Sequence, residues 1–416
     1  MARRAVTLEL FPPGIRSLRK SNRGRNQGGK QSWHSYIVPY IVPGPERRLL
    51  YLRVAIVAGT MASMALSHKL WLSTRFYPLT PVFPFLKPIP SPFDYILFGA
   101  TLLALALSAL TPRLIAFFAT LAVVLAVCDQ SRLQPWFYEY FFLLLGVAFA
   151  SPNACRVIVA ATYFWSGAQK LNAGFITDVF PWMLEPFLRH LPHSARALVH
   201  PLSVTAPFIE LWIGIALLGR KFRTPAVVVA VAMHVFILIA LSPWGQNYNH
   251  VVWPWNIAMA AAVVILFWKT GDSARQILFS KNAFHIAALL LFGLAPALSF
   301  FGSWDHYLSS AMYTSNTNHG TIYLSDKLFD RLPDGIQEYV RVETPEVDSI
   351  DIAEWSANEL NVPPYPEVRI YKSVARKICQ YAENPTEARL SITSKSTIGK
   401  SITGSSYTCA ALQTVH

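Results

Sequence analysis

Residues 201–241 read PLSVTAPFIELWIGIALLGRKFRTPAVVVAVAMHVFILIAL. Two apolar runs, 201–219 and 224–241, are separated by a short loop holding Arg220, Lys221 and Arg223. About 20 apolar residues rising 1.5 Å each cross the hydrocarbon core of a bilayer, and each run approaches that length. The pattern repeats outward. Towards the N-terminus apolar segments lie near 49–72, 93–110, 113–128, 137–150 and 153–172, and towards the C-terminus near 251–268 and 283–301. Segment 137–150 is short and borrows from Pro135 and Trp136 or runs obliquely. The expected fold is an all-α multi-pass transmembrane helix bundle of about nine spans over residues 49–301, with the lipid bilayer as its main partner.

Composition agrees. Of 416 residues, 53% are hydrophobic and 14% are charged, whereas a soluble domain carries about 25% charged residues. A cytosolic globular enzyme is therefore excluded. The net charge of +13 is spread in a way that excludes a nucleic-acid partner too. Residues 1–53 hold eleven Lys and Arg against Glu9 and Glu46, while residues 303–416 are net negative, with ten basic and fourteen acidic side chains. The positive excess sits in a head and in short inter-span loops, as orientation charge does in membrane proteins.

Residues 1–48 form a basic tail (SLRKSNRGRNQGGKQS) without the apolar core and cleavage site of a secretory signal, and are expected to be disordered. With this tail, Arg47 and Arg48 in the cytoplasm, alternate crossing puts Arg113, Arg156, Arg220-Lys221-Arg223 and Lys269/Arg275/Lys281 on the same side. An odd number of crossings then leaves residues 302–416 outside the cytoplasm. That tail alternates short apolar runs (TIYLS, EYVRVE, LSITSKS) with Pro, Gly and Asn turns, which predicts a small extracytoplasmic α/β C-terminal domain with a helix near 367–382. Its two cysteines, Cys379 and Cys409, can pair in an oxidising compartment, restraining the unfolded tail by roughly 3–4 kcal/mol, or can be two unrelated buried thiols. Cys128 and Cys155 are predicted to lie a bilayer apart. There is no CxxC and no Cys/His zinc spacing, so no metal site is expected.

Ionisable groups inside apolar spans are costly unless paired or hydrated, which makes them the informative exceptions. In Tyr163-Phe164-Trp165-Ser166-Gly167-Ala168-Gln169-Lys170, helical spacing puts Tyr163, Ser166, Gly167 and Lys170 on one face. Lys170 either reaches out to the interface or acts as a base, as partly desolvated lysines do. Glu210 lies nine residues into its span from Pro201, about 13 Å deep, as a structural hydrogen-bonding group or a functional one. His234 falls at a similar depth, as a satisfied core residue or a partner for Glu210. Two outer loops, Asp129-Gln130-Ser131-Arg132-Leu133-Gln134-Pro135-Trp136 and 247–256, are rich in aromatic and amide side chains and suit an interface belt or a binding mouth. The convergence of these groups on one half of the bundle predicts a polar chamber open to the outer side. Lys170, Glu210 and His234 are its catalytic candidates, and Asp129, Arg132, Gln134, Tyr163 and Asn256 its cofactor-binding candidates.

The segment YFWSGAQKLNAGF is similar to the helix-plus-lysine motif of the vitamin K-dependent gamma-carboxylase and its bacterial relatives, the horizontally transferred transmembrane (HTTM) domain proteins. The likeness continues weakly through ELWIGIALL, RKFRTP, AMHVFI and PWNIAM, over roughly residues 50–300. It implies an enzyme-like pocket for a quinone or another lipid-soluble cofactor, with Lys170 as the base that deprotonates a hydroquinone. The family's outer-loop histidine falls near Trp136, and no histidine lies between Asp129 and Phe164, which argues against glutamate gamma-carboxylation. The same small-residue-plus-Lys helix resembles the DoxX/MauE-like redox-associated membrane proteins, without their membrane cysteine pair. A transporter would need a polar path through both leaflets and commonly a repeat, and neither is visible. A non-catalytic assembly protein, contacting a protein partner through residues 302–416, is the remaining alternative.

Overall fold

The computed structural model describes residues 44–413 apart from 190, 198, 345, 346 and 399. The fold is mostly helical, with a small antiparallel sheet near the C-terminus. Helix forms in every segment read as a span: α1 (Pro45–Leu66), α2 (Phe93–Ser108), α3 (Leu114–Cys128), α4 (Pro135–Ala148), α5 (Pro152–Gln169), then, after a short helix α6 (Phe180–Leu188), α7 (Val199–Leu218), α8 (Arg223–Leu241), α9 (Val252–Phe267) and α10 (Ala283–Phe301). Four of these, α1 from Glu46, α7, α8 and α10, are long and apolar enough to cross a membrane. The others fall short of that standard. At 1.5 Å per residue the 16 residues of α2 and of α9 reach about 24 Å, below the ~30 Å of a hydrocarbon core. The uniform count of nine spans is thus replaced by four full-length candidates and several shorter helices.

Boundaries differ where backbone chemistry intervenes. α1 starts at Pro45, ahead of the expected 49, and stops at Leu66, where Ser67 caps it before a short turn of helix over His68–Trp71. The basic tail before residue 44 lies outside the described residues. α4 and α5 begin at Pro135 and Pro152, whose missing N–H groups cost nothing at a first helical position. α10 is less regular than its sequence suggests. It widens into a π turn over Leu289–Leu294 and tightens to 3₁₀ geometry over Ala295–Phe301, where Pro296 cannot donate to the helical ladder. Left-handed Gly302 ends it.

Helix ends leave carbonyls unpaired, and arginines take them up. At one end of the bundle Arg48 donates to Ile265 and Trp268, Arg156 to Leu266 and the Asp272 carboxylate, and Arg223 to Leu217, Leu218, Thr270 and Asp272. These residues come from the N-terminal edge of α1, from α5 and α8, and from the loop after α9, so these four segments meet at one end of the bundle. At the other end Arg132 donates to the carbonyls of Leu70, Trp71 and Leu125, and Arg75 meets Asp129 at 2.5 Å.

The C-terminal domain sits on that second end. Its strands β1 (His319–Leu324), β2 (Arg341–Thr344), β3 (Val347–Asp351), β4 (Ala388–Thr393) and β5 (Gly404–Thr408) pair antiparallel in the order β2-β3-β1-β4-β5. β1 and β4 alternate buried and more exposed residues, the period of a half-buried sheet. Helices α11 (Ile352–Leu360) and α12 (Val368–Cys379) cover the buried side, α12 through Ile370, Val374 and Ile378. The predicted helix near 367–382 is therefore present and slightly shorter. Cys379 and Cys409 are joined in a disulfide, tying the end of α12 to the chain after β5, while Cys128 and Cys155 are free. The domain is anchored by Glu359, whose carboxylate accepts the backbone N–H groups of Phe76 and Tyr77 at 2.6 and 2.8 Å and the Trp355 indole N–H at 2.8 Å. Tyr77 packs edge-on against Trp355.

Candidate functional site

The site begins with two glycines. Gly167 on α5 faces α7 so closely that a Cβ there would lie 2.6 Å from the Leu211 nitrogen and the Pro207 carbonyl oxygen. Reciprocally, a Cβ on Gly214 of α7 would lie 2.7 Å from Ala160 O and Phe164 N on α5. Small residues let helix backbones meet in this way. The meeting fixes α5 against α7 one turn from Lys170, which caps α5.

Lys170 and Glu210 consequently form a buried ion pair, each 8% exposed. The Nζ atom donates to both Glu210 carboxylate oxygens at 2.7 Å and to Ser166 Oγ at 2.9 Å. An ammonium has three hydrogens, and all three are engaged. The Phe175 ring lies 5.9 Å from the same nitrogen, within cation–π range.

Deeper along α5 a second polar group forms. Tyr163 Oη and His234 Nε2 on α8 are 2.6 Å apart, and His234 Nδ1 is 2.8 Å from Asn256 Oδ1 on α9. Asn256 Nδ2 donates to the Val252 carbonyl at 2.8 Å. Glu210 and His234 thus belong to one site, with separate partners.

Both groups lie on the wall of one cavity of about 440 Å³, inside the ~300–1,000 Å³ range of small-molecule sites. Its remaining walls are apolar, among them Phe180, Met183, Phe236 and Met259. Met312 and Tyr313, from the segment joining α10 to β1, roof it. That segment is held by Asn172, which donates to the Thr314 carbonyl at 2.8 Å, and by Asn249, which donates to Tyr313 Oη at 3.0 Å. His306 beneath it is buried, and burial pushes its imidazole down to about 3, so it is neutral where Thr314 Oγ1 approaches it at 3.3 Å. Leu202 and Ile209 on α7 and Ala232 on α8 belong both to the cavity lining and to the exposed surface. The cavity wall therefore reaches an apolar, exposed flank formed by α7 and α8, and its lining is mostly apolar, whereas the sequence suggested a polar chamber facing outward.

Of the eight residues singled out, Lys170, Glu210, His234, Tyr163 and Asn256 share this cavity. Asp129, Arg132 and Gln134 do not. Asp129 receives Arg75, Thr80 and Ser131, Arg132 is spent on helix-end carbonyls, and Gln134 donates to the Ser131 and Pro363 carbonyls beside a separate cavity of about 160 Å³. Assigning these three to the same chamber is corrected by that geometry. One acidic residue escaped notice. Glu139 on α4 is 3% exposed and accepts from Thr162 Oγ1 at 3.0 Å and Trp255 Nε1 at 3.2 Å, and both donors line the cavity. Its signal was present, a lone acid within FYEYFFLLL.

A scan against protein-family models finds no match, and comparisons with curated proteins and with solved structures find none either.

Proposed function

We propose that the chain is a multi-pass membrane protein whose cavity takes up a lipid-soluble molecule of the quinone or hydroquinone class through the flank formed by α7 and α8. In this reading the N-terminus is cytoplasmic and the C-terminal domain lies on the other side. Supporting that orientation, Arg48, Arg156 and Arg223 gather at one end of the bundle, while the net-negative domain caps the other. The observation that carries the proposal is that two hydrogen-bonding groups from four helices meet on the wall of an otherwise apolar cavity that reaches an apolar flank. Such a site fits a ligand with an apolar body and a few oxygen atoms. The likeness of YFWSGAQKLNAGF to the HTTM and gamma-carboxylase-like proteins points to the same ligand class.

The chemistry such a ligand supplies when bound is two-proton redox exchange at ring oxygens. The residues fit that need. Glu210 neutralises Lys170, and the Glu210 carboxylate, 2.7 Å from the ammonium, is the group placed to accept a ligand proton, with the Lys170 ammonium beside it to offset the charge left on the ligand oxygen. Ser166 orients the ammonium. The apolar walls exclude water and keep that proton within the site.

The test is mass spectrometry of small molecules extracted from purified wild type and from Lys170→Ala of unchanged melting cooperativity. A quinone or hydroquinone in wild type, reduced at least about tenfold in the variant, is the expected result. No lipid-soluble ring compound in either sample overturns the proposal.

A further inference from the structure

The Tyr163–His234–Asn256 chain has a direction, and the direction selects a ligand. Asn256 Nδ2 faces the Val252 carbonyl at 2.8 Å, which only a donor satisfies, so the amide oxygen is the atom facing His234 Nδ1. An oxygen there requires Nδ1 to carry the imidazole hydrogen. In the neutral ring the other nitrogen, Nε2, is then a bare acceptor, and the Tyr163 hydroxyl, 2.6 Å away, must be the donor in that contact. Tyr163 has one hydrogen, now committed. Tyr163 lines the cavity, and any further hydrogen bond that its oxygen makes there uses a lone pair.

Resting on the reading of this cavity as a site for an amphipathic ring compound, we infer that Tyr163 is a ligand-contacting acceptor held in that role by Asn256 through His234, and that the deep end of the pocket selects a hydroxyl-bearing ligand, a phenol or hydroquinone, over the corresponding ether or quinone. A ligand O–H meets the lone pair and hydrogen-bonds. An ether or carbonyl oxygen meets it with no hydrogen between them and stays desolvated and unpaired. Asn256 is the positioning residue, since with the opposite tautomer Tyr163 would be free to donate and the preference would reverse.

The experiment measures binding of 4-heptylphenol and 4-heptylanisole, which differ only in the hydroxyl hydrogen and its methyl replacement, to the full chain in micelles, with no redox step involved. Taking the ratio in each variant cancels unequal partition into detergent. We expect the phenol-over-anisole ratio of wild type to exceed that of Tyr163→Phe by about tenfold, the ratio one ordinary hydrogen bond supports. Asn256→Leu, which removes the acceptor facing Nδ1, lowers the ratio towards the Tyr163→Phe value. A purely structural role for Asn256 would change stability without moving the ratio. Equal ratios in wild type and Tyr163→Phe overturn the inference while leaving the pocket intact. Failure of both compounds to bind wild type overturns the pocket reading, and this inference with it.

Discussion

Lys170 and Glu210 answer each other charge for charge, and that sets what each is worth. Removing one partner of a buried pair leaves a charge without compensation, which costs about 3–5 kcal/mol, whereas replacing both by apolar side chains is often neutral. Lys170→Met and Glu210→Leu are therefore each expected to destabilise by about that amount in denaturant titrations of the purified protein, and the double variant to recover most of the loss while still failing to retain ligand. A double variant as unstable as the sum of the singles would contradict the pairing. At this scale the sequence was largely legible. Lys170, Glu210 and His234 stand out because apolar spans tolerate ionisable groups only for a reason. Asp129 and Arg132 stand out equally, yet they are consumed by backbone and by Arg75. No sequence pattern separates a charge that caps a helix end from one that faces a cavity. Glu139 meets the same criterion as Glu210, but its aromatic neighbours in FYEYFFLLL give no sign of which helix it faces.

Between elements, the α5–α7 contact does most to build the site. Gly214→Ala forces a methyl group into backbone atoms 2.7 Å away that belong to another helix and cannot swing aside. Overpacking of this kind costs about 1–3 kcal/mol, and displacement of α5 pulls Lys170 away from Glu210. The expected outcome is a lower melting temperature together with loss of ligand retention. Gly99→Ala on α2, where nothing lies within 4 Å of the added carbon, is the control and is expected to be neutral or slightly stabilising, since alanine favours helix by up to about 1 kcal/mol over glycine. Element positions followed from apolar length, but lengths did not. Where α1 stops, and that α10 passes through π and 3₁₀ turns, depends on local hydrogen bonding, which a count of apolar residues does not register.

For the whole molecule, Glu359 is one of the fastenings between the C-terminal domain and the bundle, beside Gln134 to Pro363, Asn361 to Leu66 and Arg369 to Pro81. Glu359→Leu strands the N–H groups of Phe76 and Tyr77, each at a cost of about 1–3 kcal/mol. The domain is expected to loosen, so that limited proteolysis cuts within residues 302–318 several-fold faster while the helical content stays constant. Because Met312 and Tyr313 roof the cavity from that segment, the same variant is expected to hold ligand less firmly. Proteolysis at the wild-type rate would mean that the interface does not depend on this carboxylate.

The amino-acid sequence by itself determined that helices dominate residues 45–301, that a small sheet-containing domain follows, and which buried charges demand an explanation. Those properties follow from run length, periodicity and the cost of moving ions out of water, all of which are local. Only the tertiary structure decided that Lys170 meets Glu210 through a close approach at Gly167 and Gly214. Only it decided that Tyr163, His234 and Asn256 join in one hydrogen-bonded chain on the wall of the same cavity as that pair. These depend on how helices rotate and approach one another, and helix rotation is set by packing against partners distant in the chain.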